Sequence, residues 1–340
     1  MNAKQIRHTA SLPPVSRSFD AEIAELDFLK GRALDAAAVQ YLSKMLGHRN
    51  NFLVAKAAKL IADGELFELL PEVLRSFDRF FADAIKSDPQ CWAKNELART
   101  LIKLEHSYKD EYLRGMRHHQ LEPVWGGASD TAGTLRGICA HALINCQGIT
   151  EADMLTALLE PLVDTDKTVR IEAARAIGEV GGMGGALILR LRALLGKDEP
   201  EVLGAVYGSL LAIEGAYAIP LVVDILREGD DVSAEAAFAL ADTRTEKALV
   251  ALIDRLRAGA DSWFRSVLLG AIALTRLPGA MDFLIALIEQ DTGEAAVVVE
   301  ALGRIAPKAE VCARVKQAVE ATGNERLAAA FREHLQQPPQ

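Results

Sequence analysis

The chain has 340 residues, half of them hydrophobic, a quarter charged and only 6% aromatic, so it can bury a large core of Ala, Leu, Val and Ile; this composition excludes a wholly disordered chain. Thirty-eight Lys and Arg against 47 Asp and Glu leave a net charge of −9, the wrong sign for a protein whose whole surface grips phosphate backbones. Four scattered cysteines, Cys91, Cys139, Cys146 and Cys312, are too few for a disulfide framework and read as reduced thiols of a cytoplasmic protein.

Residues 1–20 carry charges and the Pro13-Pro14 pair but no apolar run of signal-peptide length, and they read as a flexible N-terminal segment. Residues 21–150 contain three irregular helix pairs. DAAAVQYLSKML precedes FLVAKAAKLIADG, LFELLPEVLRSFDRFFADAI precedes CWAKNELARTLIKLE, and EYLRGMRHH precedes TAGTLRGICAHALIN. The third pair is split by a long loop over 118–130, about ten residues longer than its counterparts downstream. Pro123, Val124 and Trp125 argue for a packed loop, and Gly126-Gly127 allow a tight backbone course.

From 151 to 335 the pattern becomes regular. Segments starting at Met154, Leu187, Ile219, Leu249, Met281 and Val311 follow one another at spacings of 33, 32, 30, 32 and 30 residues. Each has apolar residues at helical spacing, such as Leu155, Leu158, Leu159 and Leu162, and is called an A helix. An Ala-rich B helix follows each, clearest where Val169, Ala173, Ala176, Ile177 and Val180 form one face. An acid recurs in the A-to-B turn at Asp166, Asp198, Asp230, Asp261 and Asp291, where a side-chain oxygen suits the free N–H groups opening the B helix. Arg170 and Arg265, just inside their B helices, suggest an incomplete ladder of Asp–Arg pairs between repeats. The most apolar stretch, Val202 to Leu226, is broken by Glu214, Gly215 and Pro220 and reads as two buried helices, not a membrane span. NERLAAAFREHL suits a terminal cap, and residues 336–340 a frayed tail.

The register, the D-x-x-V-R turn from Asp166 to Arg170 and the AARAIGEVG ending together resemble HEAT repeats, in particular the short bacterial HEAT-like repeats associated with phycobilin lyases. The resemblance implies an all-α fold, a HEAT-like α-solenoid of roughly nine helical hairpins, with A helices outside and B helices lining a concave face. The segments CWAKN and EPVWGG are also similar to those of a widespread bacterial group of HEAT-repeat proteins, which implies no particular reaction.

Chemical motifs are sparse. HEAT-like deoxyhypusine hydroxylases hold iron through His-Glu dipeptides, and none of the seven histidines here is followed by Glu, so no metal ligand carries over. Cys139, His141 and Cys146 lack zinc spacing and read as core side chains. GEVGGMGGA is neither G-x-G-x-x-G nor a P-loop, and its glycines suit a helix end. No cofactor, metal or catalytic residue is therefore expected.

One region departs from the repeat. Trp92, Lys94 and Asn95 open a B helix, and Glu122, Trp125, Asp130 and Arg136 lie in or just after the long loop one repeat later. Adjacent repeats place equivalent positions side by side, so these seven residues are the candidate partner-binding site, with Lys94, Asn95, Glu122, Trp125 and Arg136 bordering one concave patch. The expected role is a non-catalytic scaffold or adaptor that binds a protein partner on the B-helix face. The alternatives are an enzyme or enzyme subunit related to HEAT-like bilin lyases or oxidoreductases, and a nucleic-acid binder like the HEAT-like alkylpurine glycosylases. For the last, Trp263 with Arg265, and Arg114, Arg117, His118 and His119 near Trp125, are the only suggestive groupings, and the acidic total opposes them. Neither nucleic acid nor membrane is an expected partner.

Overall fold

The computed structural model describes residues 17–336, which divide between Gly148 and Ile149 into two compact units. The N-terminal segment expected over 1–20 lies outside the described residues up to position 16, and its end is already helical; of the expected tail, 337–340 also fall outside.

Unit 1 holds α1 (Arg17–Leu29), α2 (Ala36–Leu46), α3 (Asn51–Asp63), α4 (Leu70–Arg79), the single turn α5 (Ala84–Ser87), α6 (Trp92–Lys103) and α7 (Lys109–Met116). A hairpin of β1 (Leu121–Val124) and β2 (Gly127–Asp130) follows, and α8 (Gly133–Ala142) completes the unit. Helices α2 and α3, α4 and α6, and α7 and α8 form antiparallel neighbours, and α3, α6 and α8 stack as successive B helices. These are the three irregular pairs expected from sequence. Small residues permit the closeness: a Cβ on Gly115 of α7 would sit 2.4 Å from the Cys139 sulfur of α8.

Unit 2 holds α9 (Glu151–Leu162), α10 (Lys167–Val180), α11 (Gly182–Leu195), α12 (Pro200–Glu214), α13 (Ile219–Ile225), α14 (Asp231–Asp242), α15 (Glu246–Arg257), α16 (Ser262–Leu274), α17 (Pro278–Glu289), α18 (Ala295–Arg304), α19 (Ala309–Thr322) and α20 (Glu325–His334). Odd-numbered A helices pair with the even-numbered B helices that follow, and each B helix packs on the next. With unit 1, the described residues make nine pairs, an all-α architecture whose one departure is the hairpin. The core is aliphatic, as composition required: Val169, Ala173, Ile177, Val206 and Leu210 are fully buried between α10 and its neighbours. At Gly178 an added Cβ would come within 2.6 Å of Ser209, so α10 and α12 touch there nearly backbone to backbone.

The recurring turn acid divides into two kinds. Asp166, Asp230 and Asp261 cap their helices, accepting from the Thr168, Ser233 and Phe264 N–H groups at 2.8, 2.9 and 2.8 Å. The expectation fails at the other two. Asp198 lies one residue before the α12 cap position and instead pairs with Arg170 (3.0 Å) and Arg192, while Asp291 ends α17 in a left-handed turn (φ 45°) and accepts from Asn324 at 2.9 Å. The arginine ladder accordingly has one rung to Asp198 and one, from Arg265, to Glu294. At this last turn α18 begins at Ala295, so Glu294 and not Asp291 stands at its cap position.

Candidate functional site

The opening of α6 is built from an unusual turn. Gln90 (φ 61°) and Cys91 (φ 55°) are consecutive left-handed residues without the freedom of glycine, a local strain that the surroundings must offset. They fold the chain back so that Asp88 caps α6 from five and six residues upstream. Its two carboxylate oxygens accept from the Ala93 and Lys94 N–H groups at 2.9 Å each, and Asn51 adds a bond at 2.8 Å. Asp88 and Lys94 are both fully buried and form an ion pair of 3.0 Å. The Lys94 ammonium donates also to the Phe80 carbonyl at 3.3 Å. Burial of both charges is tolerable only because their remaining hydrogen-bonding capacity is met.

The long loop is a hairpin. Leu121 pairs with Asp130 and Val124 with Gly127, leaving Trp125 and Gly126 (φ 91°) as the two-residue connection. Trp125 is wholly exposed at the tip, so the packed loop expected from sequence is not formed. The base of the hairpin is fixed by Asp130, which accepts from the Gln120 and Ala132 N–H groups at 3.0 Å each, from His119 at 2.8 Å and from the buried Arg136 at 2.7 Å. Arg136 reaches on to the His118 carbonyl at 3.0 Å. A second acid, Glu122, ties the hairpin to the α6 turn: one of its oxygens accepts from the Gln90 N–H, the Gln120 amide and the Thr131 hydroxyl at 2.6, 2.6 and 2.7 Å.

These contacts set the electrostatics. Partial burial raises the carboxyls of Asp130 and Glu122, but their hydrogen bonds, with Arg136 beside the first and Lys94 near the second, hold both below the usual carboxylate range. Burial lowers His118 below the ordinary histidine value, against a weaker opposing bond from Gln120. Burial pushes the Cys91 thiol up to about 11, so it is protonated and a poor nucleophile at neutral pH. All three lowered groups have folded-state values beneath their unfolded ones. Their stabilisation is complete above the unfolded values and is lost as pH falls, beginning with His118 below about 6.5 and followed by the carboxylates below about 4. Amide protection across 121–130, corrected for intrinsic exchange, is therefore expected to fall in two stages on acidification. Protection that stays constant from neutral pH to about 5 would show that His118 does not contribute.

Of the seven sequence candidates, the structure brings Trp92, Asn95 and Glu122 to one hollow of about 520 Å³, completed by Gln90, Val124 and Thr134. Trp92 is about half exposed and its ring stands 5.8 Å from that of Phe52. Asn95 projects its Oδ1 into a buried position without a hydrogen-bond partner. Trp125 stands beyond the hollow at the hairpin tip. The expectation of a patch bordered by Lys94 and Arg136 is corrected: both are buried, drawn beneath the surface by Asp88 and Asp130, and they support the site from below. Asp130 is partly buried in the same support. Sequence reasoning missed Asp88 and Gln120. The Asp-Pro pair at 88–89 was the available sign of a chain reversal, whereas nothing local marks Gln120.

Residues 152–241, from α9 to α14, match the family model described as HEAT repeats. This stretch of the chain is built of HEAT repeats. No curated protein matches it. An engineered protein of known crystal structure is 18% identical over 92% of this chain and 97% of its own, with a TM-score of 0.19, too low to support any argument from that likeness. HEAT repeats generally serve as protein-interaction scaffolds. Among the described residues, no helix is long and apolar enough to cross a membrane, and no group of three or more His, Cys, Asp or Glu is placed to hold a metal ion. Its four cysteines are free thiols, and burial raises those of Cys139 and Cys146 as it does Cys91.

Proposed function

We propose that this protein is a non-catalytic scaffold that docks a protein partner on the hairpin face of unit 1, with Trp92, Asn95, Glu122 and Trp125 making the contacts. The observation that carries the reading is Trp125: a fully exposed indole at the tip of a hairpin whose base is locked by Asp130, Arg136 and Glu122. A large aromatic held out on a rigid arm loses little conformational freedom on binding, which suits a docking anchor. Asn95 lines the same hollow beside Trp92 and Glu122 and is only half-buried, so its amide edge borders the surface a partner would cover. The net charge of −9 and the anionic Glu122 favour a protein over a nucleic acid.

The test is paired measurement on Trp125→Ala. Affinity for a partner captured from the native cell is expected to fall by roughly 30-fold, as for an aromatic anchor worth about 2 kcal/mol. The melting temperature is expected to stay within about a degree, because the side chain packs on nothing. Unchanged affinity would sink the reading. Asn95→Ala is expected to weaken the same partner without moving the fold, since its Oδ1 forms no internal bond.

A further inference from the structure

Helix α11 departs from its role as an ordinary A helix. Ala186, Leu189 and Ala193 face the core, yet Met183, Leu187, Leu191, Leu194 and Leu195 are 75, 59, 62, 70 and 55% exposed. The two arginines that could interrupt this face are turned away: Arg190 pairs with Glu214 and Arg192 with Asp198. Neighbouring α9 adds exposed Leu159 and Val163. The uncovered apolar surface amounts to several hundred Å², at the upper end of what a single soluble chain leaves bare and approaching the roughly 800 Å² that one partner contributes to a standard interface.

The spacing says what covers it. Met183, Leu187, Leu191 and Leu195 recur every fourth residue, so the row is symmetric about the level of residue 189. An antiparallel copy of α11 placed about a two-fold axis at that level sets Leu187 opposite Leu191 and Met183 opposite Leu195. Leu194, outside the row, falls opposite Gly184, whose Cβ direction is taken up by Leu155 of α9, so no Gly184 side chain stands between the two helices there. A face that is its own complement is what an isologous interface requires. Rows of residues four apart form the ridges that pack at about −50° between helices.

We propose that two copies of this chain pair through α11 about this two-fold axis, each Leu187 meeting the other's Leu191. The interface is separate from the hairpin of unit 1 and does not depend on it.

Sedimentation of the full chain across a wide concentration range tests this. The wild-type chain is expected to reach twice its monomer mass reversibly. Leu187→Glu with Leu191→Glu places like charges opposite one another across the axis and is expected to weaken pairing at least roughly tenfold. Leu187→Glu with Leu191→Lys places opposite charges there and is expected to pair more tightly than the double Glu variant. Both substituted leucines are exposed, so circular dichroism of both variants should match wild type. A wild-type chain that stays single at every concentration overturns the proposal and leaves the face to a different occupant. A double Glu variant that pairs like wild type, or a Glu/Lys variant no tighter than it, overturns the α11 register.

Discussion

Lys94→Met is expected to destabilise unit 1 by about 3–5 kcal/mol, the range for removing one member of a buried ion pair. The Asp88 carboxylate would remain, fully buried, with its two helix N–H bonds and Asn51 but without its counter-charge. Asp88→Ala should cost at least as much, since it also uncaps α6. Combining Lys94→Met with Asp88→Asn is expected to recover part of the loss, because no uncompensated charge is then left in the interior. Hydrogen exchange along α6 reports the local stability directly. Urea unfolding followed by circular dichroism should show an early transition assignable to unit 1, which must be fitted apart from unit 2. A change below about 0.5 kcal/mol in Lys94→Met would mean that the pair is not what holds the α6 opening.

The arginine rungs of unit 2 should differ in worth. Arg170 is nearly buried between the α10 and α12 turns, pairs with an almost buried Asp198 and also donates to the carbonyls of Asp164 and Thr165 at 2.6 and 3.1 Å. Arg170→Ala is expected to cost about 2–3 kcal/mol. Arg265 and Glu294 keep 32 and 23% of their side-chain surface in water, so Arg265→Ala should cost at most about 1 kcal/mol, and less in high salt. Denaturant titration of both variants decides the matter: equal losses would show that burial does not rank these pairs.

The repeat was legible because helical periodicity and turn chemistry recur together. The A and B helices fall where apolar spacing put them, and caps at Asp166, Asp230 and Asp261 follow from the need of helix-opening N–H groups for an acceptor. Asp198 was indistinguishable from them in sequence, since a short acid before a helix reads alike whether it faces its own N–H groups or an arginine of the previous repeat. The hairpin escaped notice because two four-residue strands carry almost no alternation signal of their own. Lys94 and Arg136 were placed on the surface by the ordinary preference of charged residues, which holds until a buried acid waits for them. For α11 the failure was of another kind. Periodicity marks an apolar face and says nothing about whether a neighbouring helix covers it, so the exposure of Leu187 and Leu191 could not be read from the repeat.

The fully exposed indole of Trp125 also gives the chain an internal spectroscopic probe. Trp92 and Trp263 are each about half covered, so Trp125 is the ring whose emission should be most red-shifted and most open to quenching by iodide. Anything that settles on the hairpin tip must displace water from that ring, moving its emission to shorter wavelength and shielding it from the quencher. An occupant can therefore be detected on the unlabelled protein, and the Trp125→Ala variant supplies the blank.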